Sequence, residues 1–218
     1  MGRARGLDLD GVGWHGLYNT YGRSEVTMDT ANSQINPNAQ SYAGFWPRAL
    51  AFVLDYLVIS AYLVITVAAG ASIQASMPGV REALFSNPIT GEISGFFIIT
   101  LPVTLYFAFF EASMMQATWG KQRLKLQVVG PDQGRISIWR SLARSLLKFV
   151  PWELAHAMIW QISFAENPES PVYTAGLTLV WVLVGANIAS MIFSPTRQTI
   201  YDRLAGTRVM RILPSAEG

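Results

Sequence analysis

The chain has 218 residues, 51% of them hydrophobic and 14% charged, with a mean hydropathy of +0.29. An ordinary soluble domain carries about 25% charged residues, so this composition points to a membrane protein. The net charge of +2 is scattered between long apolar runs rather than gathered on a polar surface, which argues against a nucleic-acid partner, and the absence of cysteine excludes disulfides, thiolate metal sites and cysteine nucleophiles.

Residues 1–42 are rich in Gly, Asn, Ser and Asp and hold no sustained helix or strand period, so they read as a flexible cytoplasmic tail. The tail lacks the apolar run of a secretory signal, and "MGRARG" lacks the Ser or Thr of a myristoylation motif. His15, set between Trp14 and Gly16, reads as a solvated tail residue.

Four apolar segments follow, at about 47–71, 93–115, 146–164 and 172–194, each close to the ~20 residues that a spanning helix needs. The first carries Arg48 and Asp55. Helical positions seven apart lie about 20° from alignment, so Arg48, Phe52, Asp55, Ile59 and Tyr62 share one face. That face is expected to look into the bundle, because a mid-span aspartate exposed to lipid costs roughly 2.5–3.5 kcal/mol. Seven residues rise about 10.5 Å and helical side chains lean towards the N-terminus, so Arg48 leans away from Asp55. Asp55 therefore needs another cation or donor, and Arg144, Lys148 and Arg203 are the available choices from the cytoplasmic end.

In the second segment Glu111 stands near the cytoplasmic end and is expected to pair with Lys121 or Arg123. The third, "LLKFVPWELAHAMIWQISF", is the most polar, with Lys148, Glu153 and His156, and Pro151 can kink or begin it. Glu153 and His156 have the i,i+3 spacing of di-metal bundles, but such sites need a second pair and further acids, so no metal site is expected. The pair can line a polar or proton-exchanging cavity, or pack helices through hydrogen bonds. The fourth segment has no ionisable side chain except Tyr173, and Asn187, Ser190 and Ser194 can line the same interior.

Lys121, Arg123, Lys125, Arg135, Arg140 and Arg144 lie between the second and third segments, and Arg197, Arg203, Arg208 and Arg211 follow the fourth. By the positive-inside rule both regions face the cytoplasm, which four spans allow and three do not. Within the basic loop, "LKLQVV" and "RISI" flank the turn "GPDQG" and read as a short hairpin. "SIWRSLARSLLKF" then sets Trp139, Leu142 and Phe149 on one side and Arg140, Arg144 and Lys148 on another, the pattern of an interfacial helix. Those basic residues either join a buried cluster or anchor against anionic lipid. "TRVMRIL" near the C-terminus can add a strand beside "LKLQVV". Asp202 stands outside any span and either braces the turn at Ala205–Thr207 or joins Asp55 in a charged cluster. Residues 213–218 read as a C-terminal tail.

The first segment with Arg48 and Asp55, the stretch "ATWGKQRLKLQVVGPDQGRISIWRSLARSLLK" and the ending "SPTRQTIYDRLAGTRVMRI" together resemble the RDD family of membrane proteins. The arginine and two aspartates of that family name correspond to Arg48, Asp55 and Asp202, and the resemblance covers about residues 43–212. Trp119 departs from the Pro or Leu expected before Gly120-Lys121. The resemblance implies a multi-pass membrane protein of poorly defined role, sometimes suggested to assist transport of a solute or ion.

The resulting expectation is an all-α membrane protein: a four-helix transmembrane bundle with a small cytoplasmic β-hairpin or sheet and an interfacial amphipathic helix. Arg48, Asp55, Asp202 and Arg203 form the expected charge cluster, with Glu111, Gly120, Lys121, Arg144, Lys148, Glu153 and His156 around it. No phosphate loop, serine elbow or kinase signature occurs, so neither an enzyme nor a cofactor is expected. The expected role is a non-enzymatic subunit or scaffold of the cell membrane, with both termini cytoplasmic. The alternative is cation or proton exchange through an oligomer, with Asp55 as the exchangeable carboxylate. The expected partners are the lipid bilayer and either a second copy or another membrane protein.

Overall fold

A computed structural model describes residues 41–212, beginning with a two-residue strand, β1 (Ser41–Tyr42), that turns at Gly44 into α1 (Phe45–Ser76). Pro47 falls in the first turn of α1, where a missing N–H removes no intrahelical bond. The 32 residues of α1 reach about 48 Å, enough to pass through a hydrocarbon core of about 30 Å and emerge beyond it. A left-handed Gly79 (φ 98°) starts the short α2 (Val80–Phe85).

The next helix, α3 (Pro88–Ala112), opens on a capping box in which Asn87 accepts from Thr90 N and Thr90 accepts in return. Its middle relaxes into a π-helical turn, Phe96–Thr100, just before Pro102. Pro102 has no N–H to offer the Ile98 carbonyl four residues back, and Tyr62 Oη of α1 donates to that oxygen at 2.5 Å. The break in the helix is thus also a tie between α1 and α3.

After α3 come α4 (Trp119–Arg123), β2 (Leu126–Val129), α5 (Ile138–Ser163), α6 (Pro171–Phe193), α7 (Ile200–Leu204) and β3 (Arg208–Arg211). The sheet has the order β1-β3-β2 and is antiparallel throughout, with Ser41 opposite Arg211 and Val128 opposite Val209. The expected strand beside "LKLQVV" is therefore present. The expected hairpin shrinks to one bridge, Val129 with Arg135, because Ile136 buries itself and Ser137 caps α5 by accepting from Arg140 N. The third strand comes instead from Ser41 and Tyr42, at the end of the stretch expected to be tail. The remainder of that stretch, His15 with it, and residues 213–218 lie outside the described residues.

The interfacial helix and the third apolar segment are one helix, α5, with Pro151 inside it. Its buried side is Ser141, Arg144, Ser145 and Phe149, whereas Trp139 is 74% exposed. The two segments run on as one helix, and its basic residues divide: Arg140 is exposed, while Arg144 turns inward to Glu111 and Asp202 rather than to an interface. Three described helices, α1, α3 and α6, are long and apolar enough to cross a membrane. With 26 residues α5 is long enough as well, but Lys148, Glu153 and His156 lower its hydropathy.

Two apolar clusters frame the interior. Ala43, Ala51, Leu126, Val128, Ile136 and Val209 join the sheet to the start of α1, and Ile59, Val103, Phe107 and Phe149 join α1, α3 and α5. Outward-facing Val64, Val67, Trp181 and Phe193 are each about 70–85% exposed, the expected state of side chains whose solvent is lipid.

Candidate functional site

Between the two clusters lies a chain of buried charges. Arg48, three residues into α1, donates through Nε to the Ala43 carbonyl (3.0 Å), through Nη2 to the Arg197 carbonyl (2.7 Å) and through Nη1 to Asp202 Oδ2 (2.7 Å). The other oxygen of Asp202 faces Arg144 of α5, at 2.9 Å from Nε and 2.8 Å from Nη2. Arg144 Nη1 then reaches Glu111 Oε2 at the end of α3 (2.5 Å), and Glu111 Oε1 meets Lys121 of α4 (2.5 Å). Five alternating charges, Arg48, Asp202, Arg144, Glu111 and Lys121, thus tie together α1, α7, α5, α3 and α4.

Asp202 is fully buried although it lies outside the apolar helices. It also closes the capping box of α7, accepting from Thr199 N while Thr199 Oγ1 accepts from Asp202 N. Thr207 Oγ1 contacts its Oδ1 at 3.4 Å, next to the left-handed Gly206 (φ 62°). Asp202 thus braces the turn and pairs with Arg48 and Arg144, but the cluster it joins does not include Asp55. Burial pushes the Asp202 carboxyl up, but Arg144 and Arg48 outweigh it and hold the group down at about 2. Tyr201 beside it is pushed above its ordinary value by burial and by the Asp202 charge.

Asp55 is 1% exposed and stands apart from this chain. Its Oδ2 accepts from Thr118 Oγ1 (2.6 Å), and its Oδ1 accepts from Gly120 N (2.7 Å) and Tyr106 Oη (2.9 Å). No cation among the described residues pairs with it, so the expected Arg144, Lys148 or Arg203 partner is replaced by neutral donors. The physical reason is α4. Its first backbone N–H groups have no intrahelical acceptor; a carboxylate reaching across from α1 takes that of Gly120 and opposes the positive end of the peptide dipoles, while Tyr106 Oη accepts from Trp119 N (3.2 Å). A side chain at position 120 would drive its Cβ into the Ala51 carbonyl oxygen, so only glycine lets α4 approach this closely. Every position of "TWGK" therefore contributes to the junction. Thr118 donates, Gly120 admits, Lys121 pairs with Glu111, and Trp119 lies under the Arg123 guanidinium at 5.1 Å.

Residues 42–206 match the family model described as the RDD family. The chain belongs to the RDD family. It is also similar to a protein of Bacillus subtilis (strain 168) described as "Uncharacterized protein YxaI", 27% identical over 132 residues that cover 57% of this chain and 87% of that protein. No solved structure matches. The Arg48, Asp55 and Asp202 of this RDD protein all converge on the sheet-side end of the bundle, but Arg48 and Asp202 form one pair while Asp55 caps a separate helix.

Other expected residues are placed elsewhere. Arg203 is exposed and joins none of the ion pairs, and Arg123 is not the partner of Glu111. Glu153 and His156 approach only to 4.0 Å, and no metal-holding group of three His, Asp or Glu side chains occurs among the described residues. Ser190 donates to the Gln198 carbonyl and Ser194 contacts Thr196, so both hold the connection to α7. Tyr106 and the bond from the Thr118 hydroxyl to Asp55 escaped the sequence reading. Thr118 carried a signal, a threonine two residues before a glycine at a helix start; Tyr106 carried none.

A cavity of about 320 Å³ adjoins the cluster, lined from α1, α3, α5, α6 and α7, with Arg48, Asp55, Lys121, Arg144 and Lys148 in its wall. Lys148 makes no ion pair among the described residues. Its Nζ lies 3.2 Å from the centre of the Phe107 ring and 4.9 Å from that of Phe52.

Proposed function

We propose that this chain is a non-enzymatic integral subunit or scaffold of the cell membrane, in which the buried charges clamp a cytoplasmic cap onto four spanning helices. The fourth span in this reading is α5. Its 26 residues reach about 39 Å, its Arg144 is paired, and it packs along both α3 and α6. Four spans also put the basic loop and both termini on the cytoplasmic side, where the positive-inside rule wants them.

One observation supports the scaffold reading: each carboxylate oxygen of Asp55, Glu111 and Asp202 already has an internal donor, those of Asp55 being Thr118, Gly120 and Tyr106. A carboxylate that exchanged cations would need an oxygen free to change partners. A second reading, cation or proton exchange through an oligomer, is favoured by the cavity whose wall includes Asp55. Purified protein in liposomes loaded with a pH-sensitive dye separates them. The scaffold reading expects no proton flux on addition of sodium or potassium; a flux that Asp55→Asn abolishes would replace it with the exchange reading.

A further inference from the structure

The cavity beside the cluster has a chemical character that the scaffold reading leaves unused. Four cations, Arg48, Lys121, Arg144 and Lys148, and one carboxylate, Asp55, stand in its wall, and two more carboxylates, Glu111 and Asp202, pair with Arg48, Lys121 and Arg144 from behind it. One positive charge is left over. The ion-paired chain of Arg48, Asp202, Arg144, Glu111 and Lys121, three cations on two carboxylates, carries it, whereas Lys148 balances Asp55 only in the count, pairs with no carboxylate and has only aromatic faces around its ammonium among the described residues. Those faces help to hold a cation but do not neutralise it. Most of the remaining wall is apolar, and across from α5 it includes Asn187 of α6. Asn187 Nδ2 donates to the Leu183 carbonyl (2.9 Å), which fixes the amide's orientation, while its Oδ1 is buried with no donor among the described residues.

We propose that this cavity binds the headgroup of an anionic, hydroxyl-bearing phospholipid of the phosphatidylglycerol type, with its phosphate at Lys148, a headgroup hydroxyl donating to Asn187 Oδ1 and its glycerol backbone and first methylenes against the apolar wall. An inorganic cation is the wrong sign for a site with surplus positive charge. A free small anion would leave the apolar wall and the Asn187 oxygen unmatched. A lipid supplies all three parts at once, and basic pockets between spanning helices near the cytoplasmic face suit such headgroups. The inference rests on the membrane assignment alone and stands whether the protein scaffolds or exchanges ions.

Native mass spectrometry of the full chain, released from micelles with equal phosphatidylglycerol and phosphatidylcholine of the same acyl chains, tests it. One phosphatidylglycerol per chain is expected, retained about tenfold over phosphatidylcholine. Lys148→Met should remove that preference, and Lys148→Arg should keep most of it. Asn187→Leu should remove the preference for phosphatidylglycerol over phosphatidic acid, which has no headgroup hydroxyl. Equal retention of the two lipids by the wild type overturns the proposal, as does undiminished preference in Lys148→Met that elutes and melts as a folded protein. Displacement of the lipid by equimolar free glycerol phosphate overturns the assignment to a lipid. The wild-type ratio decides the matter if Lys148→Met does not fold.

Discussion

The backbone N–H of Gly120 lies 2.7 Å from Asp55 Oδ1, a contact made across 65 residues of chain. It joins a carboxylate inside an apolar helix to the first turn of a short helix on the basic side of the bundle. An aspartate that looks expensive on a spanning helix is thereby a helix cap supplied from another element. Burial in this place is tolerable because three donors, rather than one cation, receive the charge.

Asp55→Asn should then be mild. One side-chain oxygen can still accept from Gly120 N and Tyr106 Oη, while the Thr118 hydroxyl can rotate to accept from the new amide. Asp55→Leu leaves those donors without an acceptor, at about 1–3 kcal/mol for each group that water cannot reach. Thermal melting of detergent-purified variants should rank wild type, Asn and Leu in that order, with the larger gap between Asn and Leu. Equal losses for both variants would show that the negative charge itself is what α4 requires.

Gly120→Ala tests the same junction from the other side. The added methyl would overlap the Ala51 carbonyl, a backbone atom that cannot rotate away. Overpacking of this kind costs about 1–3 kcal/mol, and here α4 must also draw back from Asp55. A lower melting temperature and reduced abundance in the membrane are expected. Gly185→Ala is the control, since nothing stands within 4 Å of a Cβ there.

The apolar helices α1, α3 and α6 were legible in the sequence because hydropathy acts over windows of many residues. Pairing across the fold was less so. Asp202 in "IYDRLAGT" has the local pattern of a turn acid, and Thr199 three residues earlier hints at a cap, but nothing local shows Arg48 and Arg144 closing over it. The partner of Asp55 was misjudged for a related reason. A carboxylate in an apolar helix invites the search for a cation, and backbone donors at the start of a later helix have no side-chain letter to mark them. Arg144 was visible as a basic residue on α5, but the direction in which it faces was decided by Glu111 and Asp202, 33 and 58 residues away.

Arg144 holds two carboxylates, so its removal should exceed that of either acid partner. Arg144→Met leaves Glu111 with Lys121 and Asp202 with Arg48, each buried with half its former compensation. Breaking a buried pair by deleting one partner costs about 3–5 kcal/mol. Arg144→Met is expected to lie at or above that range and Arg48→Met below it, because Arg48 is partly exposed and spends two of its three contacts on carbonyls. Chemical denaturation in mixed micelles reads both. A milder effect for Arg144→Met than for Arg48→Met would mean that the chain of charges is not centred on α5.

Acid should open the sheet-side end of the bundle through Asp202. Its carboxyl is held at about 2 in the folded chain, against 3.8 for an ordinary aspartate. Between those values the unfolded chain takes up the proton and the folded chain does not, so stability rises with pH across that window. The contribution is complete above about pH 4 and is lost as pH falls from there towards about 2, a change of about 2 kcal/mol. Asp202→Asn has no carboxyl to titrate at this site, so its stability should already be lower at neutral pH and should fall less on acidification. The difference between the two denaturation midpoints, followed from pH 6 to pH 2 in one detergent, should therefore shrink as the pH drops. A difference that stays constant would show that Asp202 does not carry its charge into the folded state, and that Arg48 and Arg144 are held by the Thr199–Thr207 turn instead.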